Sequence, residues 1–537
     1  MGGGNIIATP WAKGRTRFLE GDGLYMHVHI QAEEASFERT LSHIVPLFYE
    51  EVKTSYGNGD HAAADMRIRL EVETVGTTIT SAAKLTDHTR SVELFARHER
   101  LAAAQASPED RRKSIKQAMC FVLLDVLQQH TGIVQPWGIL TGIRPTKLLH
   151  ERLRSGVPAE RAHKELREDY LIADEKVALM QRIVDSQLGA LPDLYRLRNE
   201  VSIYIGIPFC PTKCAYCTFP AYDINGRQGS VSGFLAGLHY EMREIGQWLK
   251  RNGIGITTIY FGGGTPTSIT AEEMDELYSL MYDHFPDVRN VREITVEAGR
   301  PDTITPEKLA VLSKWGIDRI SINPQSYTQE TLDLIGRHHT VQETIDKFEL
   351  ARNSGMENIN MDLIIGLPGE GEAEFDHTLS ETAKLMPESL TVHTLSFKRA
   401  SEMTQHRGKG KYKVAGRNEI NRMMRRAVEW TDQFGYVPYY LYRQKNILGN
   451  LENVGYAKPG IESLYNILII EEMQSIIGLG CGASSKWVDP VTGVISRLAN
   501  PKEPKAYNET YLAYTDAKIE ALNKLFRIQP QLETTGV

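Results

Sequence analysis

An excess of positive charge is missing from this chain. Its 61 Lys and Arg residues stand against 68 Asp and Glu, a formal net charge of -7, so no global basic field gathers nucleic acid or an anionic membrane. Any anionic partner must be met by a local patch. Long apolar runs are missing too: none approaches the ~18–20 residues that cross a bilayer. Met1 to Ile7 carries three glycines and no basic segment ahead of an apolar one, so neither secretion nor membrane insertion is expected. Cysteine is sparse and odd in number, five in 537 residues, and Cys210, Cys214 and Cys217 fall close together. That is poor usage for a disulfide framework and good usage for thiolate ligation, which implies a reducing, cytoplasmic setting.

What is present is ordinary globular composition, 41% apolar and 24% charged, and at roughly 100–200 residues per domain the length allows three or four domains. Leu24 to Ile30 and Met66 to Val75 alternate apolar and polar residues as half-buried strands do, while Asp110 to Gln129 repeats apolar residues at helical spacing. Residues 1–192 therefore read as an α+β domain with a helical extension. Gly138 to Lys147 reads as a loop opening a helix with Pro145 near its first turn, and Ala173 to Leu188 as a further helix. From Val201 onward, short β-branched runs alternate with helix-length segments, as in repeated β-α units around a parallel sheet. Six strands are expected: Ser202 to Ile207, Thr258 to Phe261, Glu293 to Glu297, Arg319 to Ile322, Asn358 to Ile365 and Leu390 to Ser396. Several intervening helices start near Ser or Thr caps. Six units make a partial (β/α)6 barrel over residues 193–400, followed by a C-terminal mixed cap over 401–527 with a helix from Asn418 to Gln433, and a frayed tail, 528–537. In such a barrel the chemistry gathers just past the strand ends.

The first of those strand ends runs into Cys210-Pro-Thr-Lys-Cys214-Ala-Tyr-Cys217. Three thiolates spaced C-x3-C-x2-C suit a cubane iron-sulfur cluster with one iron left open to a small chelating ligand. A three-cysteine zinc site completed by a distant residue, or three merely buried thiols, are the plainer alternatives, although zinc motifs more often repeat a pair of cysteines two apart. The second strand ends in Gly262-Gly-Gly-Thr-Pro-Thr267, where the glycines allow backbone groups to approach a ligand, or simply make a tight connection.

Together these residues resemble the radical S-adenosylmethionine (SAM) enzymes. Tyr204-x-Gly-x-Pro-Phe-Cys210, the Gly-Gly-Gly-Thr-Pro-Thr segment and Ile364-Ile-Gly-Leu-Pro-Gly369 look more closely like the oxygen-independent coproporphyrinogen III dehydrogenases, and the long N-terminal extension like their HemZ-like branch. The resemblance covers about Val201 to Trp487. It implies a 4Fe-4S cluster on Cys210, Cys214 and Cys217, and SAM contacts at Tyr204, Tyr216, Gly263, Gly264, Thr265, Glu297, Gln325, Arg337 and Asp362, with Tyr204 also in a catalytic role. Glu297, Gln325 and Asp362 fall at or near ends of the third, fourth and fifth strands, and Arg337 could meet a carboxylate with its planar fork. The implied reaction is oxidative decarboxylation of coproporphyrinogen III propionates to vinyls through a 5′-deoxyadenosyl radical. A tetrapyrrole substrate and an electron donor such as flavodoxin or ferredoxin come with it, and no nucleic acid.

A tetracarboxylate needs local cations. Lys398, Arg399, Arg407, Lys409, Lys411 and Lys413 follow the sixth strand, and Arg443 and Lys445 lie further on. The chain departs from the family at two places: Phe219 stands where the decarboxylases carry a further cysteine, and Gly206 replaces a common histidine. The alternatives are a haem carrier of the HemW type, or another radical SAM reaction on a tetrapyrrole such as methyl transfer with ring opening. The carrier's His-Asn-x-x-Tyr segment appears here as Tyr465-Asn466-Ile-Leu-Ile. Cys120, Cys481 and the paired His338-His339 are further metal- or haem-binding residue types, more commonly buried thiols and exposed helix-end histidines.

Overall fold

The computed structural model describes residues 26–49, 52–59, 63–142, 144–226, 229–398, 401–406, 411–444 and 447–528. Arg399, Arg407, Lys409, Lys445 and the expected tail beyond 528 lie outside them.

An N-terminal sheet comes first, from β1 (Met26–Gln31), β2 (Val52–Tyr56), β3 (Met66–Val75), β4 (Thr78–Asp87) and β5 (Val92–Leu101), in the order β2-β1-β3-β4-β5. Exposure alternates along β4, so one face is covered. The Pro108–Thr131 helix covers it, started by Ser107, whose hydroxyl accepts from Asp110 N, and stopped by Gly132 in the left-handed region at φ 69°. Helices Thr146–Arg154, Ala159–Tyr170 and Asp174–Ala190 then lead to the second sheet.

That sheet holds β6 (Val201–Ile207), β9 (Ile256–Gly263), β10 (Glu293–Val296), β11 (Arg319–Ser321), β12 (Ile359–Ile365) and β13 (Ser389–Thr394), all parallel in chain order. β7 (Phe209–Cys210) and β8 (Tyr222–Asp223) form a small separate pair that braces the cysteine loop. The strands are buried almost throughout, covered on both faces as parallel strands are, with polar residues at intervals along them. Their helices begin on side-chain caps at Ser230, Thr270, Thr305 and Thr340, and Thr270 forms a full capping box with Glu273.

The chain beyond residue 400 does more than cap the barrel. β14 (Val437–Tyr442) and β15 (Asn453–Ala457) extend the sheet antiparallel beside β13. β16 (Ser475–Gly480) runs parallel to β6, making a seventh parallel strand that the sequence reading did not contain, and β17 (Ser484–Val488) and β18 (Ile495–Ala499) follow it. The final helix, Pro504–Phe526, is anchored by buried Lys518, which bonds the carboxylate of Glu241 on the first barrel helix and Asn500.

The helical extension is bolted to the far side. Trp137 Nε1 and Lys176 Nζ donate to the two oxygens of buried Glu452 (2.9 and 2.5 Å), and Thr146 and Gln187 donate to buried Glu471 (2.7 and 2.9 Å). Leu191, Leu194 and Leu197 share an apolar cluster with Tyr439, Tyr440, Ile467 and Leu468. Among the described residues no helix is long and apolar enough to cross a membrane.

Candidate functional site

A cavity of about 450 Å3 opens at the carboxyl ends of the barrel strands. All twelve residues expected from the sequence line it: the three cysteines, Tyr204, Tyr216, Gly263, Gly264, Thr265, Glu297, Gln325, Arg337 and Asp362.

The cysteine loop is held from two sides. Gly264 N and Thr265 N donate to Ile207 O and Phe209 O at 2.8 and 2.7 Å, and Cys210 Sγ meets Thr265 Oγ1 at 3.3 Å. This close approach explains the glycines: a Cβ on Gly264 would fall 2.5 Å from Phe209 O, and Gly263 has φ 111°. They serve the contact between two strand ends first, rather than a ligand. On the other side buried Arg300 forks onto Asp302 at 3.0 and 2.9 Å, reaches Thr212 Oγ1 at 3.1 Å and lies 3.7 Å from Cys214 Sγ. Burial pushes the Cys210 thiol up to about 11 and raises Cys217 as well, so metal loading must displace their protons. Cys120 lies in the N-terminal core, and Cys481 is buried with its thiol toward Pro501 O and Lys502 O.

Glu297 follows β10 directly, and its carboxylate accepts the Tyr260 hydroxyl at 2.5 Å. Burial raises its pKa to about 7. Asp362 on β12 accepts from Asn323 and Asn360 at 3.0 and 2.9 Å, with His393 Nε2 at 3.5 Å. Burial opposes its ionisation, but His393 and these hydrogen bonds outweigh that and hold it below the usual carboxylate range. Gln325 adopts φ 66°, uncommon for a side chain of its size, and its Oε1 is buried without a partner. Arg337 is buried. Its Nη2 donates to Gly299 O and Asn323 O at 2.8 and 2.9 Å, its Nη1 lies 3.4 Å from the Tyr216 hydroxyl, and its Nε has no partner. Backbone carbonyls, not a protein carboxylate, hold this guanidinium in place.

Tyr204 stacks in a slab with Tyr260 and Tyr465, whose centroids are 4.3 Å apart at 20°; Tyr204 lies 6.1 and 6.3 Å from them. Tyr260, Tyr465, Arg300, Asn323 and His393 are cavity residues that the sequence reading missed. For Asn323 and His393 a signal was available, as polar residues at alternate positions along or just past parallel strands, in Arg319-x-Ser321-x-Asn323 and Thr391-x-His393. His339 is buried, not exposed, and burial lowers its pKa to about 3; neither it nor His338 lines the cavity. Of the described cations expected from sequence to meet substrate carboxylates, Lys398 alone lines the cavity. Lys411 pairs with Glu402 at 3.1 Å, Lys413 is exposed elsewhere, and Arg443 is buried against Leu140 O and Asn450.

The donor set fits an open iron-sulfur cluster with a chelating ligand. Among the described residues no three Cys, His, Asp or Glu side chains form a single-ion site. Thiolates on different corners of a cluster stand further apart than thiolates on one ion. Gln325 Oε1 and Arg337 Nε, together with Thr295 Oγ1, Ser321 Oγ and the Tyr465 hydroxyl, are buried cavity-lining polar atoms without a partner among the described residues, which a polar ligand there would satisfy.

Fold and site together define a radical SAM enzyme, and the superfamily model matches residues 204–382. Its cofactors are a 4Fe-4S cluster and SAM. Over 91% of its length the chain is 63% identical to the oxygen-independent coproporphyrinogen-III oxidase-like protein HemZ of Bacillus subtilis, covering 96% of that relative. It belongs to this HemZ family of the radical SAM enzymes. The heme chaperone HemW of the same organism is 30% identical over 59% of this chain and 81% of its own. The solved structure of the coproporphyrinogen III oxidase HemN from Escherichia coli, a radical SAM enzyme, aligns with 21% identity over 61% of this chain and 72% of that one, with a TM-score of 0.48.

Proposed function

We propose that this chain oxidatively decarboxylates coproporphyrinogen III propionates to vinyls, yielding protoporphyrinogen IX for haem biosynthesis in the cytoplasm. The observation that carries the reading is the convergence of three thiols and nine SAM-type contacts on one cavity, in a chain so close to a coproporphyrinogen oxidase-like relative. When bound, cluster and SAM supply a 5′-deoxyadenosyl radical after one-electron cleavage of a sulfur-carbon bond.

The protein's residues bind, orient and exclude water. Cys210, Cys214 and Cys217 hold the cluster, with Arg300 and Thr265 fixing their loop. Ionised Glu297 takes the SAM amino group, and Arg337 offers its free Nε to the carboxylate. Asp362 takes ribose hydroxyls and Gln325 accepts through its unpartnered Oε1. Tyr216 covers the adenine, and Tyr204 walls the reacting space so that the radical meets substrate and not solvent. Lys398 receives a substrate carboxylate. Each propionate gives up a β-hydrogen atom, carbon dioxide and one electron, so a one-electron carrier of the flavodoxin or ferredoxin class serves the cycle.

Anaerobic incubation of reconstituted protein with SAM, dithionite and coproporphyrinogen III tests this. Vinyl products with 5′-deoxyadenosine are expected, and Cys214→Ala should lose both together with its iron and sulfide. Tight stoichiometric haem binding without turnover would transfer the chain to haem delivery. Bound zinc with no sulfide would remove the cluster itself.

A further inference from the structure

Phe219 is 61% exposed, two residues beyond the last cluster cysteine, and lies on the rim of the cofactor cavity. A single exposed apolar side chain is unremarkable on most surfaces. This one has company: the Lys398 ammonium lies 5.7 Å from its ring centroid, and Lys398 lines the same cavity. No carboxylate pairs with Lys398 among the described residues. The rim therefore presents a phenyl ring with a cation over one of its faces, and the ionisable neighbour of that cation is the Cys217 thiol.

Size decides where a substrate can go. A cavity of about 450 Å3 is in the lower half of the ~300–1,000 Å3 range that buries one drug-sized ligand. A tetrapyrrole is larger than SAM, and a cavity of this size that also receives the cofactors leaves the macrocycle across its mouth. A porphyrinogen is puckered at its methylene bridges, so one pyrrole unit at a time can present a flat face to a ring.

We propose that Phe219 and Lys398 form the tetrapyrrole seat at the rim of the cofactor cavity: the phenyl ring takes one pyrrole face, and the ammonium takes the carboxylate of that unit's propionate. The inference rests on the tetrapyrrole reading above. In the free protein the ammonium rests over the phenyl ring, and an arriving carboxylate draws it aside and uncovers the ring for stacking. The reacting propionate is thereby held at the threshold of the cavity, with the rest of the macrocycle in solvent. Phe219 occupies the place of the decarboxylases' further cysteine, so this seat marks the chain off from them.

Coproporphyrin III, the stable oxidised tetracarboxylate, serves as probe in anaerobic fluorescence and absorbance titrations of the cluster-loaded full chain. Phe219→Ala should weaken binding about tenfold and remove the red shift of the porphyrin band, while Phe219→Tyr retains both. Lys398→Gln should weaken binding about tenfold and flatten its salt dependence, with Lys398→Arg restoring both. Iron per chain at the wild-type value shows that each variant is folded and loaded. Wild-type affinity in either Phe219→Ala or Lys398→Gln overturns the seat and leaves the tetrapyrrole reading standing. Failure of the wild type to bind the probe while it cleaves SAM overturns that reading, and the seat with it.

Discussion

A carboxyl group enclosed by a barrel and tied to one tyrosine, as Glu297 is, holds its proton up to about 7 because burial penalises the carboxylate. The ionised form is the one that attracts the SAM amino group. Below about pH 7 that attraction fades, so SAM affinity should fall as pH drops from 8 to 6, approaching tenfold per unit at the acid end. Equilibrium dialysis of SAM against cluster-loaded protein reads this directly. Glu297→Gln should bind more weakly at pH 8 and show a flat profile; a flat profile in the wild type would remove Glu297 from the amino group. The same burial sets a stability term of known sign. A carboxyl whose folded pKa is raised costs stability as pH climbs from its unfolded value of 4.5 through about 7. At this scale the cysteines and Glu297 were legible because their chemistry is local to a strand end. Tyr260, Tyr465 and Arg300 were not, because each matters through partners distant in sequence.

Elements whose signals are local follow the sequence closely. The barrel helices start on Ser and Thr caps, and Thr270 with Glu273 completes a box. Thr270→Ala should cost about 1 kcal/mol in denaturant unfolding; an unchanged midpoint would mean that the box adds nothing. β16 is different: Ser475–Gly480 is a short, glycine-containing run, and only its register with β6, Ser475 against Val201 through Gly480 against Gly206, makes it a strand. That register also gives a reason for Gly206 where relatives of the family carry histidine. A Cβ there would meet Cys481 O at 3.0 Å and Ala483 Cβ at 3.3 Å, while one on Gly480 would meet Gly206 O at 2.4 Å. The turn that follows the seventh strand fills the space that a larger side chain needs. Gly206→His should therefore destabilise the chain by roughly 1–3 kcal/mol through overpacking, read as a lower thermal midpoint. A variant as stable as the wild type would show that this turn yields.

Read from sequence, residues 1–192 stand as a separate α+β unit, because their rhythm changes at Val201 and nothing local in the chain announces a contact with residues three hundred positions later. The structure gives that unit deep points of attachment. Glu452 and Glu471 are buried and answered by Trp137, Lys176, Thr146 and Gln187, and Arg443 is buried against Leu140 O. A buried carboxylate without its partners costs several kcal/mol. Glu452 adjoins β15, which pairs with β13, and Asn453 lines the cavity, so the far wall of the cofactor site hangs on the same clamp. Glu452→Ala leaves the Lys176 ammonium and the Trp137 N–H without their acceptor, and should lower stability by about 3–5 kcal/mol. Removing residues 1–192 should go further. It strands Glu452, Glu471 and Arg443 and uncovers the apolar face beside Tyr439 and Ile467, so the remaining chain should give no cooperative melting transition and retain no cluster on reconstitution. If residues 193–537 instead melt cooperatively at the full chain's midpoint and bind iron and sulfide, the extension is an appendage and the clamp carries no weight in the fold.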